Sequence, residues 1–283
     1  MVRRLRSVLC ASVLSSALFG INAGPVNSAE ASGVTGASPA NLSQVYRQFH
    51  DHVLEISKLR LDQAQNVQQA QALLVAPNEV QLSRGWVAAF AEIASQSTRF
   101  SEGLEKAAAK RGTTSLIAEL KSNPNAVFSI GGVEAAQKDV MAAIAEDSAI
   151  YDALTYRLNE IAHGRTGKEA DLAQQAQMEP YSAGVTGATH PLAPLSPRAA
   201  PLMSQVLALG AIISLSNPSS EKDTKLASLT ANAENDQCLR WARLNLNQCL
   251  AAAHDGQERS YCLAQHGLDE RAKCWSWVAQ PKS

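Results

Sequence analysis

Four cysteines in the last fifty residues, Cys238, Cys249, Cys262 and Cys274, are the side chains whose type and spacing most directly imply chemistry. The turn signal Asp255-Gly256 lies between them. Cys249 stands six residues before Asp255 and Cys262 six after Gly256, while Cys238 and Cys274 stand seventeen before and eighteen after. Folding the chain at this turn sets the inner pair opposite one another and leaves the outer pair one residue out of register. Cys238 and Cys249 are eleven apart, close to three helical turns, so both face one side of a helix. Joining these two would require a bridge of about 16 Å along one helix, against a Cα limit of about 7 Å. The crossed pairing would shear the hairpin by about twelve residues, far beyond that limit. The spacing therefore predicts nested disulfides, Cys238–Cys274 and Cys249–Cys262.

A metal reading uses the same region. Cys249, His254, Cys262 and His266 are residue types that zinc takes, and Cys262 and His266 share a helix face. It leaves Cys238 and Cys274 without partners, and structural zinc sites have tighter ligand pairs, so the disulfides are preferred and no metal or cofactor is expected. No Cys-x-x-Cys is present for thiol exchange or haem attachment. Trp241 and Trp277 each follow an outer cysteine by three residues, and Trp275 lies between. Shielding of the sulfurs is the simpler role for these indoles; contact with a ligand or partner is the other.

Elsewhere the chemical signals are thin. His50 and His52 flank Asp51, but at i and i+2 they point to different helix faces and cannot chelate together. Glu55, Glu92, Glu119, Glu146 and Glu160 read as solvated helix faces, with no pattern that singles out a catalytic pair. Nucleophile elbows, zinc-protease helices and phosphate-binding glycine loops are absent. A net charge of -1 implies neither nucleic acid nor an anionic membrane surface as partner.

The elements that must carry these residues are helical. Hydrophobic residues make up 46% of the chain but aromatic residues only 5%, which suits Ala/Leu-rich helices better than strands. Arg3, Arg4 and Arg6 followed by an apolar run to Ile21 predict an export signal ending at Ala23, too short to span a bilayer. The only other cysteine, Cys10, falls inside it. Residues 24–40 read as a disordered leader.

From Asn41 a three- and four-residue apolar stripe (Leu42, Val45, Phe49, Val53, Ile56) predicts one helix over 42–75, capped by Asn41. Asn78 caps a second, with Leu82, Trp86, Phe90, Ile93, Phe100 and Leu104, running to Arg111-Gly112. The short turn between them predicts an antiparallel pair. A short helix near Thr114–Ser122 and a long one from Val133 to His163-Gly164 follow, then a weaker Ala/Gln-rich segment over 167–178. Five prolines over 179–201 read as a linker. Leu202–Leu215 is apolar and reads as a core-facing helix, and the module over 202–283 ends in the stapled hairpin over 237–279.

The chain is thus expected to be all-α: a long-helix bundle over 41–178 followed by a small disulfide-stapled helical hairpin. The predicted function is that of a periplasmic or secreted interaction protein without catalysis of its own, whose long helices suit a protein partner or self-association, with no integral membrane span after signal removal. The alternative is an envelope-acting enzyme or ligand-binding protein that uses the hairpin tryptophans.

Overall fold

The computed structural model describes residues 38–75, 78–165, 195–216 and 224–278. Every regular element among them is helical, and the architecture is a bundle of long helices with a C-terminal hairpin stapled by two disulfides. The predicted export signal, the leader up to residue 37, the 167–178 segment and most of the Pro-rich stretch lie outside the described residues; Pro39 and Ala40, expected at the end of the disordered leader, instead open the first helix.

Helix α1 spans Pro39–Lys58. Its cap is Ser38, whose hydroxyl accepts from the Asn41 N–H, and Pro39 occupies the first turn, where its missing N–H costs nothing. Asn41 is thus inside the helix, not at its cap. The apolar stripe carries Tyr46 in place of Val45 as a buried residue. The single helix expected over 42–75 is two, because the chain turns at Leu59–Gln63 before α2 (Ala64–Val75). Arg157 takes the carbonyls of Ser57 and Leu59 at 2.7 Å each, giving α1 an end that the local sequence does not announce.

That reversal changes the expected pairing. Helix α3 (Glu79–Ser95) begins at Asn78, whose side chain accepts from the N–H groups of Val80 and Gln81 at 3.1 Å, as the sequence predicts. It runs parallel to α1, since Leu42 meets Gly85 and Arg47 meets Glu92, both partners rising together. The antiparallel pair was expected from one turn; a second turn at 59–63 restores the direction. Gly85 permits this approach: a Cβ there would stand 2.5 Å from the Leu42 carbonyl oxygen.

The second predicted helix also divides. Its last turn tightens at Gln96–Ser97, and α4 (Thr98–Arg111) starts afresh. Helix α5 (Thr113–Ser122) and a 3₁₀ turn over Pro124–Ser129 lead to Gly132, which caps α6 (Val133–Ala162) at φ +82°. Helix α7 (Ala199–Leu215) is buried around most of its circumference, as an apolar core helix should be. It packs against α3, and Gly210 stands where a Cβ would come within 2.7 Å of the Ala91 carbonyl oxygen. Among the described residues no helix is long and apolar enough to cross a membrane.

The hairpin follows α8 (Thr224–Thr230). Its first arm is α9 (Ala233–Ala252), capped by Asn232. Asp255 then caps α10 (Gly256–Cys262), accepting from Gln257 and Glu258 at 2.9 Å. A wide π-helical turn over Leu263–Asp269 leads into α11 (Glu270–Ser276). Gly267 lies inside this turn, close against Leu74 and Leu246. The hairpin is embedded: Leu239, Leu246, Leu263, Leu268 and Trp275 belong to the same apolar core as Tyr46, Trp86, Leu154 and Leu207.

Candidate functional site

The two bridges are Cys238–Cys274 and Cys249–Cys262, with Cα separations of 5.6 and 5.5 Å. Their nesting follows the predicted register. The wide turn explains how the register closes. Cys262 and Cys274 are twelve residues apart, which at α-helical spacing would rotate Cys274 about 120° from the Cys262 face. The π turn lies between them and absorbs the extra residue, so both sulfurs meet the α9 face. With Cys249 and Cys262 joined, their sulfurs are committed to each other. His254 is exposed, and His266 Nδ1 lies 2.9 Å from Glu270 Oε1. Among the described residues no group of three or more His, Cys, Asp or Glu side chains is placed to hold a metal ion.

The three hairpin tryptophans part company. Trp275 is buried, edge-on to Tyr46 with ring centres 5.7 Å apart and stacked 6.5 Å from Trp86. Trp277 is half-buried; its indole N–H donates to the Cys274 carbonyl at 2.8 Å, and the Arg198 guanidinium lies 4.4 Å from its ring centre. Trp241 alone keeps most of its ring in solvent, at 57% exposure, with Leu244 one turn on at 43%. The opposite face of α9 (Leu239, Ala242, Leu246) is buried.

Two arginines tie the hairpin to the bundle. Arg271, almost fully buried, donates to the Leu74 carbonyl at 2.6 Å, and Arg243 donates to the Val75 carbonyl at 2.5 Å and to Glu79 at 2.9 Å. Helix α2 has no basic residue in its own last turn, so these side chains supply the positive charge its carbonyl end favours. Burial lowers the Arg271 pKa to about 10, with the Glu79 charge opposing that shift.

A cavity of about 390 Å³, its wall largely apolar but carrying several charged side chains, opens between α1, α3 and α6. Helix α1 contributes Tyr46, Arg47, His50 and Asp51; α3 contributes Phe90, Glu92 and Ile93; α6 contributes Ala143 and Asp147. The i, i+4 steps 46/50, 47/51 and 143/147 each set two side chains on one face. The Tyr46 hydroxyl donates to Asp147 Oδ2 at 2.7 Å and lies 3.5 Å from the Tyr151 hydroxyl. His50 Nδ1 is 3.5 Å from Asp147 Oδ1. Across the cavity Glu92 pairs with Arg47 and accepts from Ser43. Burial raises the Asp147 pKa; the Tyr46 hydrogen bond and the His50 charge pull it back, and Glu146 adds to the rise. Burial also holds both tyrosine hydroxyls well above their ordinary range, Asp147's charge adding to it, so both stay protonated and can donate. Two larger hollows, of about 530 Å³ beside the inner bridge and about 760 Å³ at the start of α6, are lined mainly by exposed residues.

The sequence separated His50 from His52 correctly by face but left Asp147 unnoticed. The signal was available: Asp147 falls between Ile144 and Tyr151 on the α6 apolar stripe, an unusual place for a charge. Of the carboxylates that looked solvated, Glu92 faces the cavity, while Glu55, Glu119 and Glu160 bond Gln69, Arg111 and Arg165. Glu146 is exposed. Compared with known proteins, the chain matches no family model, no curated protein and no solved structure. The two disulfides point to an oxidising, non-cytoplasmic compartment.

Proposed function

We propose that this is a periplasmic or secreted interaction protein that acts by presenting the outer face of α9 to a protein partner, without catalysis of its own. The observation that carries the reading is the exposure of Trp241 and Leu244 one turn apart on a helix whose other side is buried. A tryptophan left in solvent gains nothing from folding, yet it offers a large rigid contact to a partner. The bridges at Cys238 and Cys249 flank it, so the face is held in one geometry before binding and little ordering cost is left to meet. Residues of this kind at i and i+3 suit a partner helix laid along α9.

A photo-reactive amino acid placed at Trp241, with Glu105 on α4 as an exposed control, tests this in the compartment where the protein resides. The expected result is a discrete adduct from position 241 that is absent from 105. An adduct of twice the protein's mass identifies a second copy as the partner; any other discrete mass identifies a different protein. Equal labelling from both positions, or none from 241, overturns the proposal.

A further inference from the structure

We propose that the cavity between α1, α3 and α6 binds a small organic cation through an ammonium group, with Asp147 as its counter-ion. Three carboxylates, Asp51, Glu92 and Asp147, line the cavity with one guanidinium, that of Arg47, and one imidazole, that of His50. Arg47 is engaged by Glu92, which also accepts from Ser43 at 2.5 Å, so Glu92 has its cation and a second donor. Asp147 does not. Its side chain is only 18% exposed, it accepts one neutral hydrogen bond from Tyr46 at Oδ2, and its Oδ1 has only the His50 ring nitrogen at 3.5 Å, too long for a good hydrogen bond.

A carboxylate can accept at about four positions, and burying one with a single close donor is costly. The protein tolerates that cost where a volume of about 390 Å³, within the range of small-molecule sites, adjoins the carboxylate. An ammonium placed there would give Oδ1 the charge-assisted donor it lacks. Phe90, Ile93 and Ala143 provide apolar wall for the carbon skeleton. An anionic ligand would face three carboxylates, and a neutral one would offer Asp147 no charge-assisted donor at close range.

Calorimetric titration of the full-length, disulfide-intact protein at neutral pH with three matched probes tests the proposal: 2-phenylethylamine, 2-phenylethanol and 3-phenylpropionate. The amine is expected to bind at least tenfold more tightly than the alcohol or the acid. Asp147→Asn keeps the acceptor for Tyr46 and is expected to cost at least tenfold in amine affinity while the protein melts no lower. Ala143→Phe fills the cavity from α6, leaves Asp147 in place, and is expected to abolish amine binding; it carries the test should the Asn variant fold poorly. Equal affinity for all three probes, no binding of any, or unchanged amine affinity in these variants would overturn the assignment.

Discussion

At the scale of single residues, Asp147 carries a stability consequence whose sign follows from its raised pKa. An acid whose folded pKa lies above its unfolded value contributes stability below the unfolded value, near 4, and loses it as pH rises through the folded one. At neutral pH the ionised side chain is therefore a net burden. Asp147→Asn is expected to raise stability at pH 7 by on the order of 1 kcal/mol, or about 2–4 °C in Tm. The advantage should shrink to nothing below about pH 4, where Asp147 is protonated in both states. Thermal melts across that range check it; a variant less stable at pH 7 would show Asp147 to be structural. Arg271 behaves oppositely. Arg271→Ala removes the donor to the Leu74 carbonyl and the mass lying over the Phe49 ring. The expected loss is about 3 kcal/mol or more, read from the denaturant midpoint. Of these two, Asp147 was legible as a charge on an apolar stripe. Arg271 was not, because its partner lies 197 residues away in the sequence.

At the scale of elements, the hairpin is the best-specified part of the chain. Chain entropy assigns about 3–4 kcal/mol to each bridge, the outer one contributing more because it closes 36 residues rather than 13. Replacing Cys238 and Cys274 by Ala should therefore lower the denaturant midpoint further than replacing Cys249 and Cys262. The nested pairing was readable because it depends on distances along two adjacent helices and one turn. The π turn was visible only as a one-residue mismatch, since a wider turn and an offset hairpin absorb it equally well in sequence terms. Helix breaks at 59–63 and 96–97 went unread for a similar reason. One is completed by Arg157 from α6, and the other leaves the apolar spacing nearly intact. The parallel approach of α1 and α3 rests on a glycine. Gly85→Ala is expected to cost about 1–3 kcal/mol by overpacking against the Leu42 carbonyl, measurable as a lower Tm.

At the scale of the whole molecule, residues from both sides of the 179–201 segment enter one core, with Trp275 of the hairpin stacked on Trp86 of the bundle. Shared burial couples the stability of the two parts. Differential scanning calorimetry of the oxidised protein is expected to show one cooperative transition. A separate transition that moves on reduction of the bridges would show the hairpin melting independently.

Local pattern by itself determined that the chain is helical, where α3 and α6 begin, and how the four cysteines pair. Each of these depends on residues within a few turns of one another, where 3.6-residue periodicity and capping chemistry act. Tertiary structure alone decided that α1 and α3 run parallel, that Trp275 turns inward while Trp241 does not, and that Tyr46, His50 and Asp147 meet. Those outcomes depend on which buried surfaces fit together across forty residues or more, and periodicity marks a face for burial without naming what will cover it.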